Sequence, residues 1–216
     1  KPRPGHADLT GAVKYNTKDI RDILERSSAR ETAMRVALGA VAKKILSQFG
    51  IVIGSYVCQI GAARFKKPVP SSEKQLVAFF RLAEKSLVRC PDNIATEKMV
   101  SCINRAIRNN HSLGGLFVVL ATGLRMGLGS HVQWDRKLDG QLAQAIMSIQ
   151  AIKGVEIGSG FVMASQPGSA VMDEIYYRKS SDPETMPFMR KTNHAGGIEG
   201  GMTNGMPVVL RAAMKP

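Results

Sequence analysis

Apolar side chains recur at three- and four-residue steps along residues 16–48, at Met34, Leu38, Val41 and Ile45, and predict one long helix whose second half is buried. Asn16 or Thr17 is placed to cap its start, and Gly50 to stop it. Residues 51–60 change period. Both alternating sets there, Ile51/Ile53/Val57 and Val52/Tyr56/Cys58, are largely apolar, which predicts a strand covered on two faces and therefore central. Helices are predicted over 72–88, 94–108 and 138–152, and strands over 116–121, about 155–164, and 207–214. The second helix turns Met99, Cys102, Ile103 and Ala106 inward, whereas His111 falls in a turn and is given no chemistry. Residues 1–10, with two prolines and a glycine, read as an ordered loop, 61–70 as a basic connector, and 166–188 as an exposed excursion. The order helix, glycine stop, strand occurs at 17–60 and again at 138–165, a weak internal repeat.

Two stretches break these patterns. Glu25-Arg26-Ser27-Ser28-Ala29-Arg30-Glu31-Thr32 puts guanidiniums and hydroxyls where the helical period calls for apolar residues. Arg26 and Arg30, four apart, would share a helix face and could hold an oxyanion between them, with Ser27 and Ser28 as short donors; the plain alternative is a solvated face. Residues 192–205 hold five glycines in fourteen positions, a backbone able to approach a ligand and aim N–H groups at it, or equally a glycine hairpin. His6 lies in the first loop, either as a surface residue or as a general acid suited to neutral pH.

Composition narrows the partners. A net charge of +13 points to anionic ligands or surfaces, and prompts the reading of a basic nucleic-acid-binding module. With 6% aromatic residues and no basic run interleaved with them, base stacking has little to work with. Cys58, Cys90 and Cys102 form no C-x-x-C pair, so neither a disulfide framework nor a metal site is expected. No apolar run approaches the roughly 20 residues of a membrane helix, and a soluble, cytoplasmic protein is expected. The chain opens on Lys1-Pro2-Arg3 without an initiator Met and is expected to be the interior of something longer.

Several stretches in order resemble chorismate synthase: Arg3-Pro4-Gly5-His6-Ala7-Asp8-Leu9, then Leu24 to Thr32, then Lys153-Gly154-Val155-Glu156-Ile157-Gly158. Thr192-Asn193-His194-Ala195-Gly196-Gly197-Ile198 with Gly200-Gly201, and the closing Lys215-Pro216, complete the set. The resemblance implies an α+β fold of antiparallel sheets sandwiched by outer helices, here one incomplete domain over 1–216 within a homotetramer. It implies loss of phosphate from 5-enolpyruvylshikimate 3-phosphate by 1,4-elimination, giving chorismate, with reduced FMN and no net redox change. By the same resemblance His6 is an acid–base residue and Arg30 a substrate contact. Arg26, Ser27, Ser28, Gln150, Ala151, Gly200, Lys215 and Pro216 are FMN contacts. Neither nucleic acid nor a membrane is expected as partner. Relative to the family, the Gly-Glu-Ser-His-Gly and Arg-Ser-Asp motifs are absent, so the 216 residues alone are expected to be inactive; the alternative reading is a truncated, non-catalytic flavin- or anion-binding piece.

Overall fold

The computed structural model describes residues 1–27, 29–70, 73–179 and 186–216, which fall into two compact units, 1–46 and 47–216. The first unit is helical: α1 (Asp8–Tyr15), α2 (Ile20–Ser27) and α3 (Ala29–Ser47). α1 was not foreseen, since the prolines and Gly5 end at residue 5 and the helix starts three residues later. Asn16 closes α1 in a left-handed conformation, its N–H bonded to Ala12 O and Val13 O, and so is not available to cap the next helix. Asp19 takes that role, with Oδ1 accepting from Arg21 N at 3.0 Å. α1 and α2 pack through Gly11, whose missing side chain makes room for the buried Ile23.

The apolar stripe on α3 corrects an expectation. Met34, Leu38, Val41 and Ile45 are 65%, 69%, 61% and 58% exposed, not buried. Their spacing specified the helix, but periodicity identifies a face that can be covered, not one that is.

The second unit is built on a five-stranded antiparallel sheet. Its strands are β1 (Val52–Ile60), β2 (Ala63–Arg64), β3 (Gly115–Thr122), β4 (Ile152–Ile157) and β9 (Val208–Met214), in the order β2-β1-β3-β9-β4. β3 holds the centre. β1 is paired along its length with β3 but meets β2 only through Gln59 and Ile60, so its two-sided apolar pattern reflects helices on both faces rather than strands on both sides. On one face α4 (Glu73–Lys85) delivers Leu76, Phe79, Phe80 and Ala83 against Tyr56, Val118 and Leu120. Gly54 is required there, because a Cβ would stand 2.2 Å from the Phe80 ring. Phe79 meets Tyr56 edge-on, with centroids 5.1 Å apart. α5 (Asn93–Arg108) starts on an Asp92 cap that accepts from Ala95 N at 2.8 Å, and buries Met99 and Ala95 with Cys90 and Ala63. α6 (Leu138–Met147) packs Ile146 onto β4 and β9 through Ile152, Leu210 and Ala212. Full burial of each such side chain contributes roughly 1.5–3 kcal/mol.

Across the sheet, Tyr56, Val118, Arg211 and Glu156 stand in one register row. Arg211 grips Glu156 in a bidentate pair, Nε to Oε2 at 3.0 Å and Nη2 to Oε1 at 2.5 Å.

Several predicted boundaries move, and the helix expected to 88 ends at Lys85. The helix expected to 152 ends at Met147, where Ser148 caps it and Ala151 adopts φ +69°. The strand expected to 164 ends at Ile157, because Gly158 turns left-handed against the 194–196 backbone and 3-10 turns follow. Helix followed by strand does recur, as α3–β1 and α6–β4, but the second strand is six residues to the first's nine. The excursion expected at 166–188 contains α7 (Gly168–Val171) and β5 (Ile175–Tyr177), which pairs antiparallel with β6 (Phe188–Arg190) at its end. The glycine stretch holds a second hairpin, β7 (Ile198–Glu199) with β8 (Met202–Thr203). The fold is thus α+β with antiparallel sheets, as expected.

Candidate functional site

In the first unit His6 sits in a loop locked at both ends. Asp8 is 1% exposed and accepts from Arg3 N, Nε and Nη2, each at 3.0 Å. The exposed His6 ring places Nδ1 2.9 Å from Pro4 O. A carbonyl only accepts, so Nδ1 carries the hydrogen and Nε2 is the atom left to exchange a proton with a ligand. The guanidinium of Arg3, then its backbone N–H, pull the Asp8 carboxyl down to about 2. A depressed carboxylate contributes stability above its unfolded value of about 3.9 and loses it as pH falls through the folded value. The loop is therefore expected to loosen between about pH 4 and pH 2, and Asp8→Asn to flatten the thermal-melt profile in that window.

Ser27, at the end of α2, donates its hydroxyl to Ile23 O at 2.8 Å and so offers a ligand only its lone pairs. Arg26 is exposed in the same last turn and has no ion pair among the described residues. Arg30, in the first turn of α3, pairs with Glu25. Both partners are exposed, so an incoming anion competes with a weak pair. Ser28 lies outside the described residues.

In the second unit the anticipated contacts form two groups. Ala151 O accepts from Lys215 N at 2.9 Å, which brings Gln150, Ala151, Lys215 and Pro216 together where β4 begins and β9 ends. Pro216 lies against Gly114, where an added Cβ would come within 3.1 Å of its ring. Gly200 is elsewhere, at the tip of the β7–β8 hairpin. That hairpin meets the start of α6, with Leu138 N donating to Gly201 O at 2.9 Å, whereas Ala151 follows the end of α6. The helix of ten residues between them is roughly 15 Å long. A cavity of about 600 Å³ between α5 and β1–β3, lined by Ile103, Ile107, Phe117 and Met214, includes none of these residues.

The glycine stretch works differently from the cradle expected. Most of its N–H groups are already used by the protein: Gly196 N by Asn193 O, Gly197 N by Asn193 Oδ1, and Thr203 N by Leu128 O. Its glycines chiefly allow backbone to touch backbone. Gly196 lies on Gly158, Gly197 on Pro207, and Gly201 near Ser130 O, each closer than a side chain would permit. Only Gly200, of the five, has nothing within 4 Å of where its Cβ would be, so the position expected to contact flavin is the one with open space beside it. Asn193 and Thr203 hold the hairpin, through Pro207 O at 2.8 Å and Arg125 O at 2.6 Å. Sequence reading missed both anchors and Asp173, which accepts from Thr192, His194 and Ala195. Asn193 and Thr203 stand inside the glycine motif, the one local signal available; Asp173 has none.

No group of three His, Cys, Asp or Glu among the described residues could hold a metal ion. Nor is any described helix long and apolar enough to cross a membrane. A family model described as chorismate synthase matches residues 1–216. The chain belongs to the chorismate synthase family. Curated relatives named chorismate synthase include one from Brevibacillus brevis, 56% identical over the whole of this chain and 54% of its own length. Another, from Geobacter sulfurreducens, is 54% identical over the same shares. A solved structure titled "Crystal Structure of Chorismate Synthase" superposes with a TM-score of 0.90 at 50% identity, covering 97% of this chain and 63% of that one. The chain thus spans about half the length of the curated relatives it matches.

Proposed function

We propose that this chain serves a chorismate synthase, a phosphate lyase of aromatic amino-acid biosynthesis that converts 5-enolpyruvylshikimate 3-phosphate to chorismate in the cytoplasm as a homotetramer. The observation that carries the reading is the family match across all 216 residues. The substrate brings a phosphate and carboxylates and the cofactor, FMN, a second phosphate, which accounts for a chain of charge +13. Reduced FMN, when bound, supplies transient electron density as phosphate leaves, without net oxidation.

The chain's own residues bind and manage charge. Arg30 exchanges its exposed partner Glu25 for a substrate anion, which a guanidinium can grip with two N–H groups at once. In the first unit Arg26, Ser27 and Ser28 are the residues read as FMN contacts; in the second these are Gln150, Ala151, Lys215 and Pro216 and, separately, Gly200, which admits close approach of a ligand. His6 Nε2 holds the proton for the departing phosphate. Because the curated relatives are about twice as long, turnover belongs to a protein of their length, and the 216 residues alone are expected to be inactive.

The test is an FMN titration on the enzyme at the relatives' length, with and without substrate, followed by assay of chorismate. Mutual tightening of the two ligands and turnover that requires reduced FMN are expected. FMN binding without turnover would reduce the chain to a flavin-binding module, and no FMN binding would remove the reading altogether.

A further inference from the structure

Asp173 lies in the turn between α7 and β5, far in sequence from the anticipated ligand contacts. Its carboxylate nevertheless holds the entry to the glycine stretch. Oδ1 accepts from Thr192 Oγ1 at 2.6 Å and from His194 N at 2.9 Å, and Oδ2 accepts from Ala195 N at 2.9 Å. Burial alone would push this carboxyl up, but the hydrogen bonds from Ala195, Thr192 and His194 outweigh it and keep the group below the usual carboxylate range. The acceptor is therefore charged at neutral pH, which strengthens each bond.

The backbone beyond Ala195 transmits position. Gly196 is in contact with Gly158, with no room for a Cβ on either, and Gly197 is equally close to Pro207. The backbone from 194 to 197 is thus wedged between Asp173 on one side and the ends of β4 and β9 on the other. It continues directly into β7, whose turn carries Gly200. Arg190, on β6, reaches both arms, with Nη1 3.0 Å from Asn204 O just after β8 and Nη2 2.7 Å from Glu199 Oε2 on β7. Asp173 and Arg190 therefore both hold the hairpin, one at its entry and the other at its two arms. Asn193 and Thr203 tie the hairpin down elsewhere, but among the described residues the amides of His194 and Ala195 have Asp173 as their acceptor.

We propose that Asp173 is a positioning residue for the flavin site, fixing the backbone at 194–195 so that the Gly200 tip is presented to FMN. This rests on the reading of Gly200 as a flavin contact. Asp173 itself touches neither substrate nor cofactor. Its removal should therefore act on cofactor affinity and local order and leave the three apolar clusters intact.

On the enzyme at the relatives' length, Asp173→Ala should weaken FMN binding about tenfold, the loss expected when charge-assisted bonds to a fixed loop are removed. Its melting temperature should move by only a few degrees. Asp173→Asn keeps an acceptor for Thr192 and His194 and loses the one for Ala195, so its affinity should fall in between; it also carries the test if the alanine variant fails to fold. Amide hydrogen exchange should quicken at 194–201 in both variants and stay unchanged in β3. FMN binding by the wild type, with both variants within twofold of it, would overturn the proposal. If the wild type binds no FMN, the flavin reading fails, and unchanged exchange at 194–201 in the variants would overturn the positioning role independently.

Discussion

In the enzyme at the relatives' length, His6→Ala is expected to lower turnover by roughly 10²–10⁴ while leaving FMN affinity nearly unchanged, the usual worth of a positioned general acid or base. The geometry makes this expectation specific. Nδ1 is committed to Pro4 O, and the clamp from Arg3 to Asp8 fixes the loop on both sides of the ring. Only Nε2 can carry a proton to or from a ligand. His6→Asn separates shape from chemistry, because the Asn amide can replace the Nδ1 donor to Pro4 O but has no titrating nitrogen. It should be as slow as the alanine variant. A kcat within tenfold of wild type for either variant would leave His6 a purely structural role.

The largest loss of stability is expected from Gly158→Ala. The added Cβ would stand 2.1 Å from His194 O and 2.4 Å from Gly196 N, at a residue whose φ is +59°. Neither neighbour is a flexible side chain that could swing away, so strain in the left-handed region adds to overpacking of backbone on backbone, together about 3 kcal/mol. Gly200→Ala is the control. Its φ is nearly the same, +58°, but nothing lies within 4 Å, and only the conformational cost of roughly 1–2 kcal/mol applies. Denaturant midpoints for the two variants measure the difference. Equal midpoints would mean that the contact between 158 and 194–196 carries no strain.

Local pattern revealed the elements and misjudged their surroundings. β9 and α5 were legible because alternation and a three-to-four-residue step ran through them without interruption, and Asp92 added a cap signal. α1 was not, since Pro2, Pro4 and Gly5 are loop residues and the helix begins just beyond their reach. The stripe Met34, Leu38, Val41 and Ile45 fixed a helix and said nothing about what covers it. The site shows the same divide. His6, Arg26, Arg30 and the glycine stretch stand out by residue type, but the purpose of the glycines did not follow from composition. Three of the five are packed against other parts of the chain, Gly205 would meet only the tip of Met126 at 3.6 Å, and Gly200 has nothing beside it. Asp173 could not be found at all, because its three partners lie about twenty residues away along the chain.

The strand order also sets a timetable. β9 is the seven-residue strip that joins β3 to β4, and through them the α4 side of the sheet to the α6 side. Until residues 208–214 have been synthesised, β4 has no partner in the sheet and β3 has one bare edge, although β1, β3 and α4 are already available to associate. The pairings that complete the sheet span from about fifty to nearly a hundred residues, and closing loops of that length is slow. Nascent chains stalled before residue 208 should expose the Val119 and Leu120 edge to chaperones, and release of β9 from the ribosome should be the event that ends that exposure.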